Sequence, residues 1–217
     1  MKLYMTPGSC STGIHILLEE LEKVFEVYIV NLPARDQYSS DYTAINPKST
    51  IPALIRDDGR TLTEFQAIAY WLARSNPNAK LLPKELDDEV LVLETMDYVV
   101  GTIHMQGFAR IFNTVEFTPK ETDFDAVRKR GKEIVEKGFG VINRLLQGKD
   151  YIAGEYSIAD AALFYVEFWA DKIDLAMPEN CIAHYQRSLN RPAVYRVLRE
   201  EGYQVPGSRL TSVFVGC

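Results

Sequence analysis

The chain has 217 residues, enough for one large domain or two small ones, with the composition of an ordinary globular protein. A net charge of −6 without any basic cluster gives a nucleic-acid role no support, and no apolar run approaches the ~20 residues of a membrane helix. The 3 cysteines, Cys10, Cys181 and Cys217, are far apart and fit a reducing cytosol better than a disulfide framework. Pro7-Gly8 interrupts any signal-like segment, and Phe214 stands where a prenylation signal needs cysteine, so the expected location is the cytoplasm.

Lys2–Met5 predicts a short strand, which Pro7 and Gly8 break. Ser9, Ser11 and Thr12 are candidate helix N-caps. Ile14, Leu17, Leu18 and Leu21 then follow at the spacing of an amphipathic helix. Cys10 therefore sits at a helix N-terminus, where unpaired N–H groups and the dipole favour an anion. The expectation is a lowered thiol pKa and a reactive cysteine; the alternative is a buried, inert thiol.

Phe25–Val30 predicts a second strand, Ser40–Ile45 a short helix, and Ile51–Ile55 a third strand with proline as its second residue. Asp57-Asp58-Gly59 is a hairpin signal, leading to a fourth strand at Arg60–Thr63 antiparallel to the third. A helix opens at Thr63 or Glu64, buries Ile68, Trp71 and Leu72, and stops at Pro77. Beyond the connection at 76–86 the strand signals end. Helices are expected over Asp87–Phe112, Glu121–Leu146, Ile158–Trp169, Glu179–Leu189 and Ala193–Gly202. Gly131, Gly138 and Gly140 inside the second of these predict close helix–helix approach, and Ser157-Ile158-Ala159-Asp160 predicts a capping box. The organisation is an α/β domain over residues 1–79 and an all-α domain over 86–217.

Several residues carry candidate chemistry. Ile51-Pro52 reads as a trans proline on an edge strand, or as a cis bond that turns the Ile51 backbone outward to pair with an extended, peptide-like ligand. Glu64 at a helix start reads as a ligand-ammonium anchor or as dipole-complementing capping. Asp97 and His104, seven apart, are expected to share a helix face about 10 Å apart, together with Val100, Phe108 and Ile111. For His104 the alternatives are a satisfied structural histidine and a cleft residue. No metal-binding spacing and no nucleotide-binding loop is present. In Cys10-Ser11-Thr12-Gly13 the resolving position of a dithiol motif holds glycine, so Cys10 can form a mixed disulfide but no local internal one.

The opening KLYMTPGSCS, with Asn46-Pro47-Lys48, Ile51-Pro52-Ala53-Leu54, Leu62-Thr63-Glu64 and Ser157-Ile158-Ala159-Asp160 in order, resembles the cytosolic glutathione S-transferases, most closely the bacterial beta class. The likeness spans nearly the whole chain. It implies a thioredoxin-like domain, a helical domain, a homodimer, a cis Pro52, and glutathione as co-substrate without a metal. By this resemblance Cys10 lies next to the glutathione sulfur and Ile51, with Pro52, pairs with the cysteinyl unit. Glu64 and the backbone of Phe65 hold the γ-glutamyl group, Arg35 the glycyl carboxylate, and Asp97 reaches the γ-glutamyl amine of the partner subunit's ligand. His104 approaches the sulfur, and Phe108, Phe112 and Trp169 line the electrophile site. The implied function is glutathione conjugation to small hydrophobic electrophiles, thiol exchange through a Cys10 mixed disulfide, or both. A catabolic dehalogenase, ether-cleaving enzyme or isomerase of the same fold, and a non-catalytic binding module, are the alternatives. Phe65 departs from the small residue usual at its position, and the stretch after His104 departs from the common class pattern.

Overall fold

The computed structural model describes residues 1–204, which form two compact units; Cys217 lies outside the described residues. The first unit begins with β1 (Lys2–Met5), α1 (Ser11–Glu20) and β2 (Glu26–Ile29). β1 and β2 pair in parallel, as a strand–helix–strand crossover requires. A short α2 (Ser40–Ile45) follows, capped by the Ser39 hydroxyl, which accepts the Tyr42 N–H. Then come β3 (Ala53–Ile55), β4 (Thr61–Thr63) and α3 (Phe65–Ser75). The four-stranded sheet runs β2-β1-β3-β4, with β3 antiparallel to both of its neighbours. Leu3 and Met5 of β1 are buried with Ile14, Leu17 and Leu18 of α1 and Ile68 and Leu72 of α3. Trp71 is only half-buried, its ring under the Arg56 guanidinium. The edge strand β2 is exposed along its whole length, despite its apolar composition.

The second unit is helical. α4 (Leu86–Tyr98) passes without a break into a π-helical stretch, Val99–Phe108, and then into α5 (Ala109–Phe112). α6 (Phe124–Leu145), α7 (Ile158–Lys172) and α8 (Glu179–Leu189) complete it. α7 is buried from Ile158 to Ala170 and forms the centre of this core. The Ser157/Asp160 capping box is made in full, and Asp160 also accepts the Ile152 N–H at 3.0 Å.

The glycines of α6 do two different things. A Cβ on Gly131 would lie 2.8 Å from the Gly107 carbonyl oxygen, and one on Gly138 would lie 2.6 Å from Ile103 Cγ1. Those glycines let the π-helical stretch approach. Gly140 faces open space and has no such role.

One expectation is corrected by the fold. The division at 79 and 86 would leave the last helix, α9 (Pro192–Glu200), with the helical part, yet the structure places it in the first unit against α1. Arg191 forks onto Glu20 at 2.7 and 2.9 Å, and Arg196 reaches Glu19 at 2.6 Å. The Ile51–Pro52 bond is cis, as the family likeness implied and the strand pattern alone did not.

Candidate active site

The turn between β1 and α1 is built from hydroxyls. Ser9 Oγ donates to the Thr6 carbonyl at 2.6 Å, and Ser11 Oγ accepts the Thr6 N–H at 3.1 Å. The Ser9 hydroxyl also accepts the Ser11 N–H at 3.2 Å, meeting one donor of the first turn of α1, while the Cys10 side chain caps nothing. Gly8 closes the turn with φ 71°, a left-handed conformation that glycine adopts without strain.

From α9's end, Glu201 holds this turn. Its carboxylate accepts the Gly8 N–H and the Thr12 hydroxyl, each at 2.7 Å, and pairs with His15 Nδ1 at 3.0 Å. No local pattern announces Glu201, because its partners lie almost the whole chain away. His15, Glu19 and Glu200 also converge, each with a ligand atom within 4.8 Å of the others. Arg196 forms an ion pair with Glu19, and His15 lies 3.3 Å from Glu200 and 3.0 Å from Glu201.

Cys10 is half-buried, and its thiol donates to the Ile51 carbonyl at 3.7 Å. Burial pushes its pKa up to about 12, against the pull of its own and the Ser11 backbone N–H groups; the Glu64 charge adds to the rise. The expected lowering at the helix N-terminus therefore does not hold. The helix end does act on the sulfur, but desolvation of the thiolate outweighs it. At neutral pH this cysteine is a protonated donor.

The loop before Ile51 is pinned in place. The Thr50 carbonyl accepts Asn46 Nδ2 at 2.7 Å and the Tyr42 hydroxyl at 2.6 Å, and Asn46 is fully buried. Ile51 lies just outside the β1–β3 pairing, which begins at Ala53. Among the described residues its N–H meets no acceptor. The first unit thus presents a backbone donor and acceptor beside a thiol.

Glu64 is exposed and adopts φ 69°, an uncommon conformation for a non-glycine residue, as α3 begins. Lys48 Nζ reaches Glu64 Oε1 at 2.7 Å and Thr63 Oγ1 at 2.9 Å, a link the sequence reading did not make. Phe65 is buried at the first turn of α3. Arg35 stands apart from this group: exposed, at φ 64°, with its guanidinium 5.0 Å from the Tyr38 ring.

In the second unit the structure gathers four of the expected residues. The Trp169 ring meets His104 at 4.7 Å, Phe108 at 5.4 Å and Phe112 at 5.5 Å. Phe108 is fully buried whereas Phe112 is 46 % exposed, so the cluster runs from core to surface. His104 Nδ1 lies 3.2 Å from the hydroxyl of Tyr165, a residue the sequence reading passed over. Burial drives the His104 pKa down to about 4, so its ring is neutral at physiological pH. Asp97 does not share its face. Seven residues through a wider π-helical stretch fall short of two full turns; Asp97 is exposed while His104 turns toward Tyr165 and Trp169.

The family model described as glutathione S-transferase, N-terminal domain, matches residues 8–75. Glutathione S-transferase GstA of Escherichia coli O157:H7 is 38% identical over 207 residues, covering 93% of this chain and 99% of that protein. A beta class glutathione S-transferase of Sphingomonas chungbukensis superposes with a TM-score of 0.79 at 30% identity, over 93% of this chain and 99% of its own. A glutathione transferase homologue from Sulfitobacter, solved with bound glutathione, gives 0.84 at 25% identity, over 92% and 97%. With more than a third of its residues shared with GstA over nearly the full length of both, and the thioredoxin-like sheet followed by helices, the chain belongs to the glutathione S-transferase family.

Proposed function

We propose that this glutathione-dependent transferase docks the tripeptide along Ile51, its cysteinyl unit extending the sheet edge by pairing with the Ile51 N–H and C=O. The observation that carries this reading is the Ile51 N–H, without an acceptor among the described residues, beside a carbonyl that already accepts a thiol donor, Cys10, at 3.7 Å. A glutathione sulfur arriving there replaces the carbonyl as the acceptor of the Cys10 thiol. Glu64 and the Phe65 backbone take the γ-glutamyl end, Arg35 the glycyl carboxylate, and Asp97 the γ-glutamyl amine across a homodimer.

Conjugation is the leading mode. A Cys10 that stays protonated is a hydrogen-bond donor, and a donor stabilises the thiolate of glutathione as it attacks an electrophile. His104 acts on the same sulfur, and Phe108, Phe112 and Trp169 receive a small apolar electrophile. Thiol exchange is the second mode: Cys10 attacks a glutathione disulfide, one glutathione leaves as thiolate, and the mixed disulfide is passed on. The partial exposure of the residue supports this, although its thiol must first lose its proton.

The apolar residues Leu86 and Val90, 71% and 51% exposed and one turn apart on α4, support burial against a second copy. No helix among the described residues is long and apolar enough to cross a membrane, in keeping with the proposed cytoplasmic location.

Calorimetric titration with reduced glutathione tests the reading. Binding is expected for the natural chain and for Cys10→Ala. Conjugation should survive in part in that variant, while thiol transfer is lost. Absence of binding, by heat and by an independent assay, would overturn the reading.

A further inference from the structure

The helical unit contains a polar contact that the site residues above do not include. Tyr165 lies on α7, fully buried in a helix that is itself buried from Ile158 to Ala170. Its hydroxyl meets His104 Nδ1 at 3.2 Å, and the two rings pack edge-on at 5.6 Å. Trp169, one turn further on, packs edge-on against both rings, 4.7 Å from His104 and 5.0 Å from Tyr165. Among the described residues Nε2 meets no hydrogen-bonding group, so one ring nitrogen is spoken for and the other is open.

We propose that Tyr165 is a positioning residue: its O–H donates to Nδ1 and holds His104 as the neutral tautomer that carries its proton on Nε2, the nitrogen offered to the ligand. This rests on the reading of His104 as part of the glutathione site.

The direction of the bond follows from acidity. A phenol ionises near pKa ~10 and an imidazole nitrogen accepts with a conjugate pKa of ~6.5, so the phenol is the better donor and the imidazole lone pair the better acceptor. Burial without a charged neighbour keeps the ring from taking a second proton, because desolvation alone depresses its pKa. A neutral ring in this tautomer can donate to a sulfur anion and cannot remove a proton through Nε2. His104 then serves the reaction as a fixed hydrogen-bond donor to thiolate, not as a general base.

Nitrogen-15 NMR of the imidazole in the ligand-free protein tests the bond directly. The expected result is a proton on Nε2 of His104, with a mixed or reversed tautomer in Tyr165→Phe. A proton on Nδ1 in the natural chain would overturn the proposal. Kinetics test the consequence. Tyr165→Phe should lower conjugation kcat by about three- to tenfold, as expected for one hydrogen bond, with little change in the glutathione KM. In a His104→Gln background, where an amide N–H supplies the donor without a tautomer to fix, the same change should have no further effect. Equal losses in both backgrounds would sink the positioning role. If His104→Ala left conjugation untouched, the assignment of His104 to the glutathione site would fall, while the NMR result would still decide the Tyr165 bond. Thermal unfolding of each variant separates these outcomes from loss of fold.

Discussion

The carboxylate of Glu201 accepts the backbone N–H of Gly8 at 2.7 Å, joining the end of the last described helix to the turn that carries Cys10. Two further donors converge on the same carboxylate, the Thr12 hydroxyl and His15. The Glu201 side chain is only 2% exposed, so removing it takes an acceptor from the buried Thr12 hydroxyl and from the buried His15 ring. The Cys10 turn is thus held from 193 residues away.

Glu201→Ala should destabilise the protein by about 2–4 kcal/mol, the cost of a broken buried network. Glu201→Gln, which keeps an acceptor for Gly8, should lose less. Urea unfolding measures both. Hydrogen exchange should quicken at Gly8 and along the first turn of α1. Equal stability of the alanine variant and the natural chain would refute the network's role.

Gly131 and Gly140 give a matched contrast on one helix. A methyl group on Gly131 meets the Gly107 carbonyl at 2.8 Å, a backbone atom that cannot swing aside. Gly131→Ala should therefore cost about 1–3 kcal/mol through overpacking. Gly140→Ala, with nothing nearby, should gain up to about 1 kcal/mol from helix propensity. Opposite shifts in melting temperature are the expected readout.

His184 lies fully buried between two carboxylates, 2.8 Å from Glu167 and 3.2 Å from Asp160. Burial disfavours its charge, but the two acids outweigh that and raise its pKa to about 10. Glu167 is itself raised, to about 7, by burial. Between the unfolded histidine pKa of ~6.5 and about 10, the folded chain binds a proton that the unfolded chain does not, so stability falls as pH rises. The Glu167 shift has the same sign over the lower part of that range, since a raised carboxyl pKa also means a proton kept on folding. Unfolding free energy should decline from pH 7 toward pH 10, with a slope of up to about 1.4 kcal/mol per pH unit from the histidine. In His184→Gln the decline should flatten. A pH-independent midpoint in the natural chain would contradict the buried charge.

Cys10 should be slow to alkylate in the ligand-free protein. With its pKa near 12, little thiolate exists at neutral pH. The rate with iodoacetamide, followed by mass spectrometry at this residue, should climb roughly tenfold per pH unit up to about pH 10. A plateau near pH 7 would show instead that the helix N-terminus wins over burial.

Much of the architecture is legible in the local pattern. β-branched and apolar runs between turn residues mark the strands, and helical spacing marks most of the helices, because that spacing records which side of a helix faces the core. The Ser157/Asp160 box and the close approach at Gly131 and Gly138 are equally local signals. Gly140 shows the limit of that reasoning: a glycine in a helix says that a contact is allowed, not that one is made. Asp97 shows another. Its predicted alignment with His104 assumes α-helical turns, and the π-helical stretch that follows it has a different period.

The sequence by itself determined the order of elements, the place of Cys10 at the start of α1 and the family likeness, all of which rest on residues near one another in the chain. Only the tertiary structure decided the state of that cysteine. A helix N-terminus is a local property, but desolvation depends on everything packed around the sulfur, and here it reverses the sign of the shift. The same holds for Glu201 against Gly8, Tyr165 against His104 and the return of α9 to the first unit: each joins distant residues, and burial or partnership across such a distance leaves no trace in local spacing.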